Sequence, residues 1–294
     1  MYSIDYSDFS YISMEWDISF VGVHHDDRDI LTKSFLRHKC IIQHCVFYNA
    51  DEMTLDVDGN IFEIFQLESL FSSYVKRKVI IDATSMTVAE LYLISKHLYK
   101  ANVRNIEIIY TEPLEYTKSD DHFLLSDSGM GFAGGGIPTL TFPQEDNKQV
   151  VFLLGYEGDR FADALEALQV KKSEVNLLFG LPSYKINWEK YSYFANLRVI
   201  SENQLNDRFI FAGANSSRVV EKKLEKLISY CEIQNLQFIL VPIGTKPQAI
   251  GALGFVCTSE DGKVSVLWDA PVRKSGRTKG ISKITITKDL FGVV

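Results

Sequence analysis

Residues Phe238 to Val256, FILVPIGTKPQAIGALGFV, decide the fold. Phe238, Ile239, Leu240 and Val241 form a short apolar run of the kind that fills a strand buried on both faces. Gly244 admits the positive φ of a tight turn, and Pro247 suits a first helical position. The stretch reads as strand, turn and helix. Backbone N–H groups of Gly244, Thr245 and Lys246 would then stand at a helix N-terminus, where orphan donors and the helix dipole favour phosphate or carboxylate. Lys246 adds a full positive charge. The same residues also read as a plain cap, with Thr245 closing the helix start and Lys246 in solvent.

Upstream, Ser217 opens a helix with Val220, Leu224, Leu227 and Ile228 on one face. Before it lie a long segment through Trp188, Tyr193 and Phe194 and a strand, Val175 to Phe179. Val150 to Leu168, VVFLLGYEGDRFADALEAL, is a strand, a glycine, an acidic loop with an arginine, and an amphipathic helix. Downstream, Val264 to Asp269 is a last strand, followed by a basic tail, Val272 to Ser282, with Arg273, Lys274, Arg277 and Lys279.

The same order stands in the first half. Asp17 to Leu36, DISFVGVHHDDRDILTKSFL, answers Val150 to Leu168, with Gly22 and Arg28 matching Gly155 and Arg160. Its helix places Ile30, Leu31 and Phe35 on one face. Cys40 to Tyr48 is a second strand, and a polar segment leads to a helix through Phe62, Phe65, Leu67 and Phe71. Lys78 to Asp82 is a third strand, Thr87 and Glu90 form a capping box for the next helix, and Ile106 to Tyr110 closes the set. Two halves of one βα pattern are expected: an α/β fold of two Rossmann-like parallel-sheet halves related by internal duplication. The halves span residues 1–118 and 148–294, with residues 119–147 as a glycine-rich linker or loop. The run Gly129, Gly131, Gly134, Gly135, Gly136 follows no strand and meets Pro138 instead of a helix, so it reads as a connection and not as a dinucleotide loop.

Ligands of parallel α/β sheets collect at the carboxyl ends of the strands. The first half puts His24, His25, Asp26, Asp27, Arg28, Thr84, Ser85 and Glu112 there; the second puts Tyr156, Glu157, Asp159, Arg160, Thr245, Lys246 and Asp269. Arg28 and Arg160 suit bidentate binding of phosphate, and equally suit pairing with the acids beside them. The expected ligand-binding set is Arg28, Thr84, Ser85, Arg160, Gly244, Thr245, Lys246, Arg273 and Lys274. Adjacent His24 and His25 do not converge readily on one ion, so no metal and no cofactor are expected.

With 294 residues and 46% hydrophobic content the chain has ample core for two domains of ordinary size or one large α/β domain. A net charge of −7, from 31 basic and 38 acidic residues, gives no general field for duplex nucleic acid. No apolar run approaches the roughly 18 residues of a membrane span, and the N-terminus lacks the regions of a signal peptide. A cytoplasmic protein without membrane contact is expected. Cys40, Cys45, Cys231 and Cys257 lack CxxC spacing and read as reduced core residues. The chain carries no GxSxG elbow, HExxH or Walker motif.

Gly244-Thr245-Lys246, followed by a helix of small residues, resembles the GGTK-type turn of CARF-like Rossmann domains, which sense cyclic oligonucleotides in prokaryotic immunity. In the first half Asp82-Ala83-Thr84-Ser85 stands at the matching place, without the lysine. The resemblance implies a nucleotide-sensing component of a defence or signalling system, with a nucleotide or other phosphate-bearing small molecule held at strand ends between the two halves. It leaves any effector to a partner protein. Two other readings stand beside it. One is a nucleotide-processing enzyme with Asp26, Asp27, Glu157 or Asp159 as acid or base. The other is a protein-binding scaffold with the same duplicated fold.

Overall fold

The computed structural model describes residues 1–23, 26–119, 122–123, 125–127, 131–132 and 136–291. The chain divides into two compact units, residues 1–117 with 275–294, and residues 118–274. In chain order the first unit holds β1 (Tyr2–Tyr6), β2 (Trp16–Val21), α1 (Asp27–Lys39), β3 (Cys40–Asn49), β4 (Thr54–Val57), β5 (Asn60–Glu63), α2 (Leu67–Phe71), β6 (Val79–Asp82), α3 (Val88–Lys100) and β7 (Ile106–Tyr116). The second unit opens with short ladders β8 (Lys118–Ser119), β9 (His122–Phe123) and β10 (Ser126–Asp127). It continues with β11 (Lys148–Leu153), α4 (Gly158–Leu168), β12 (Val175–Gly180), α5 (Glu189–Glu202), β13 (Phe209–Ala212), α6 (Ser217–Gln234), β14 (Gln237–Val241), α7 (Lys246–Thr258), β15 (Val264–Val266) and β16 (Val272–Arg273). The chain then returns to the first unit as β17 (Thr278–Lys288). No helix among the described residues is long and apolar enough to cross a membrane.

The second unit is built on a five-stranded sheet in the order β13-β12-β11-β14-β15, parallel throughout. Its strands read as continuous apolar runs because both faces are covered. On one face Val150, Phe152, Leu177, Ile239 and Val241 pack with Phe161 and Leu168 of α4 and Ile200 of α5. Residues of the other parity, Val151, Leu153, Leu178 and Leu240, are equally buried. Helices α6 and α7 meet at Gly251, where an added Cβ would lie 2.6 Å from the Ser217 carbonyl oxygen. The strand order reverses between β11 and β14, the place at the carboxyl edge where parallel α/β sheets commonly bind ligands.

The first unit departs from the expected parallel half. Its eight strands run in the order β1-β17-β7-β6-β2-β3-β4-β5, a mixed sheet. Only the central block β7-β6-β2-β3 is parallel; β17 and β1 add antiparallel strands on one side, and the β4–β5 hairpin on the other. The hairpin occupies sequence read as the approach to a helix, so Phe62 lies in β5 and α2 is a single short turn of helix. Its signal was present: Asp58 and Gly59 both take positive φ, the Asp-Gly pair of a tight hairpin. Helix α1 also faces otherwise than its periodicity suggests. Ile30 and Leu31 are half exposed, whereas Arg28, Thr32 and Leu36 turn inward.

The division of the chain differs from a single cut. The tail read as one basic run is shared out: Arg273 and Lys274 lie in the second unit, where β16 pairs with β10, and Arg277 and Lys279 lie in the first. Residues 136–147, read as part of a linker, are tied to the second sheet. Val266 N donates to Leu140 O (2.8 Å), Phe142 N to Ser265 Oγ (3.0 Å) and Glu145 N to Gln237 Oε1 (3.0 Å), so this segment runs along the edge strand β15. Ile137 and Leu140 anchor it in the core. The remaining glycines of that run, Gly129, Gly134 and Gly135, lie outside the described residues.

Candidate functional site

The turn from β14 to α7 forms as its residues dictate. Thr245 is the N-cap in extended conformation, Pro247 sits in the first turn, and Thr245 with Gln248 makes a capping box. Thr245 N donates to Gln248 Oε1 (2.8 Å), and the Thr245 hydroxyl donates to the Ala214 carbonyl in the loop after β13. The expected cradle of three backbone donors therefore loses the Thr245 N–H to Gln248. Lys246, half-buried, is the first residue of this 13-residue helix, whose dipole favours an anion at its start.

Gly244 serves close approach and not a positive φ. A Cβ there would fall 2.1 Å from Gln248 Oε1 and 2.9 Å from the Leu153 carbonyl oxygen. At Gly155 a Cβ would fall 2.3 Å from the Ile243 carbonyl oxygen. The loops leaving β11 and β14 thus press backbone on backbone at the strand reversal. Gln248 is fully buried, and its Nε2 has no hydrogen-bond partner; it faces Gly180 at the end of β12, 3.5 Å from where a Cβ would stand. A buried donor left unsatisfied costs about 1–3 kcal/mol. The sequence signal was Thr-x-x-Gln, the same box read at Thr87 and Glu90.

Arg160 takes the acid-pairing alternative. From the third residue of α4 its Nε and Nη2 grip both oxygens of Asp269, the second at 2.7 Å, and its Nη1 reaches Glu157 Oε2 (3.1 Å). Burial works against its charge, but the Asp269 hydrogen bond and charge, then Glu157, outweigh it and raise its pKa. Glu157 Oε1 in turn accepts from Ser126 N and Oγ at 2.8 and 2.6 Å. Arg160 orients the α4 loop against the end of β15.

In the first unit, Arg28, Thr84 and Ser85 are brought together in a buried network at the carboxyl edge of the sheet. Arg28 donates to Asp26 Oδ2 (2.9 Å), the Thr111 carbonyl (2.7 Å) and Thr278 Oγ1 (3.1 Å). Thr84 Oγ1 accepts from Thr111 N (3.0 Å), while Ser85 Oγ donates to Asp82 Oδ2 (2.6 Å) and accepts from Gly22 N (2.8 Å). Burial pushes the Asp82 carboxyl up in spite of its bonds from Ser85 and Thr84. Asp27 accepts from Gly280 N (2.8 Å), and Glu112 is buried with Lys283 at 3.9 Å. His24 and His25 lie outside the described residues.

Arg273 pairs in β16, and Lys274 N donates to the Leu125 carbonyl (3.2 Å). Sequence reasoning named Asp82 only as part of a turn and passed over Thr111 and Thr278, hubs of the first network, because single Thr residues carry no spacing signal. Among the described residues no group of three His, Cys, Asp or Glu side chains is placed to hold a metal ion. No family model and no curated protein matches the chain.

Proposed function

We propose that the second unit binds a phosphate-bearing small molecule of the nucleotide class at the carboxyl edge of its parallel sheet, at the reversal between β11 and β14. One observation carries this reading: the N-terminus of α7, with Lys246 at its first position, stands at the strand reversal of a fully parallel sheet. The dipole and ammonium suit phosphate. The resemblance of Gly244-Thr245-Lys246 to the CARF-like turn supports a sensing role in a prokaryotic defence system, with any effector on a partner protein. Turnover is the weaker reading, since Asp26, Glu157 and Asp269 are spent on Arg28 and Arg160.

The ligand is assigned to the second unit because the matching turn of the first, Asp82 to Ser85, is closed by its own hydrogen bonds. A common origin of the two parallel blocks is part of the same proposal. It is supported by Gly22 packing on Ser85 and Gly155 on Ile243, each after the first parallel strand of its block.

Calorimetric titration with nucleoside mono- and diphosphates tests the site. Lys246→Ala is expected to weaken binding by about 1.5–3 kcal/mol, the worth of a hydrogen bond to a charged group, with an unchanged thermal melt. Lys246→Arg restores part of it, because the planar fork does not occupy the place of a compact ammonium. A nucleotide that binds specifically with equal affinity to wild type and Lys246→Ala would remove the site from this turn.

A further inference from the structure

At the amino edge of the second sheet, away from the turn of α7, a half-enclosed cavity of about 570 Å³ lies between the C-terminal halves of α6 and α7 over the starts of β14 and β15. Its volume is in the range of small-molecule sites. The floor is apolar, made by Ile228, Cys231, Leu236, Phe238 and Phe255. Burial, with Glu232 adding, pushes the Cys231 thiol up to about 11, so this floor is neutral at physiological pH.

The rim is acidic. Glu225, Glu232 and Glu260 line it, and Lys263 is the single cation among the described lining residues. That ammonium is already held by Asn235 Oδ1, the C-cap residue of α6, at 3.0 Å. Two helices, of 18 and 13 residues, end at this cavity, and neither carries a basic residue in its last turn. Lys263 therefore offsets the end of α6 in part, and the end of α7 has no basic residue of its own in its last turn. Three carboxylates against one ammonium, with the negative dipole ends of two helices, favour positive charge, while the floor favours an apolar body.

We propose that this cavity is a binding site for a small organic cation, a primary ammonium carried on a hydrophobic group. The body lies on Phe238 and Phe255, and the ammonium faces Glu232, Glu260 and the carbonyl ends of the helices.

The test is titration of the full-length chain with three probes of one shape: phenethylammonium chloride, uncharged 2-phenylethanol and anionic phenylacetate. The ammonium is expected to bind saturably and at least about fivefold tighter than the alcohol, with phenylacetate weakest and the preference shrinking as salt is raised. Glu232→Gln with Glu260→Gln should cost the ammonium about three- to tenfold, since exposed carboxylates contribute modestly, and leave the alcohol unchanged. Thermal melts establish that the variant folds, and amide shifts in an NMR titration should concentrate at Leu236, Phe255 and Val264. Equal affinity for ammonium and alcohol, absence of saturable ammonium binding, or shifts centred elsewhere would overturn the site.

Discussion

Arg28→Met is expected to destabilise the first unit by about 3–5 kcal/mol at neutral pH, the cost of removing one partner from a buried ion pair. Arg28 is 3% exposed and joins Asp26 to β7 through the Thr111 carbonyl and to β17 through Thr278. Without it, the Asp26 carboxylate stays buried with Arg277 Nε 3.9 Å away.

The pH dependence separates this cause from simple loss of packing. In the wild type, burial pushes Asp26 up, but the Arg28 charge and hydrogen bond, the Thr278 hydroxyl and Arg277 outweigh it and hold its pKa below 3.8. A lowered folded pKa stabilises above the unfolded value and is lost as pH falls through the folded one. Arg28→Met removes the main lowering cause and leaves burial to raise the group, so its deficit against wild type should shrink as pH falls through 4. Urea unfolding at pH 7 and pH 4 measures both effects. A deficit independent of pH would show that only packing was lost. Arg28→Lys should recover little at pH 7, because an ammonium cannot span three partners set at the corners of a guanidinium.

Gly158→Ala is expected to cost the second unit about 2–3 kcal/mol, although alanine is the better helix former by about 1 kcal/mol. The added Cβ would fall 1.8 Å from the Ala195 carbonyl oxygen and 2.7 Å from its carbon, so α4 would have to move off the backbone of α5. No flexible side chain is available to yield there. Gly262→Ala is the matched comparison: its φ is +92°, but nothing stands within 4 Å of the new atom. Only backbone strain of about 1–2 kcal/mol is expected at that site. Chemical denaturation of the two variants should rank Gly158→Ala as the more damaging; the reverse order would mean that α4 and α5 approach less closely than the backbone places them.

Much of the scaffold is written locally. The apolar runs at Trp16, Val79, Val150, Val175 and Phe238 became strands because each is bounded by turn residues and both faces find cover. The capping box of Thr87 and Glu90, the Pro247 helix start and the glycines after β2, β11 and β14 are likewise properties of a few neighbouring residues. The alternation in Lys283-Ile284-Thr285-Ile286-Thr287, and Asp58-Gly59 before it in the chain, were equally local signals for β17 and the hairpin.

Tertiary structure alone decided which elements meet. That β17 lies beside β7 follows from pairing energy between strands more than 160 residues apart in sequence, which no local pattern encodes. Helix α1 turns Arg28 inward and leaves Ile30 and Leu31 half exposed because Thr111 and Thr278, 83 and 250 residues away, supply the acceptors that make burial of a guanidinium affordable. For the same reason a list of residues at strand ends did not separate anion ligands from structural ties. Arg160 stands there, but Asp269 arrives from beyond the edge strand to occupy it. The glycines at positions 155, 158 and 244 were visible as glycines; that each is required by backbone packed within van der Waals distance, and not by a positive φ, depends on neighbours that only the folded chain brings near.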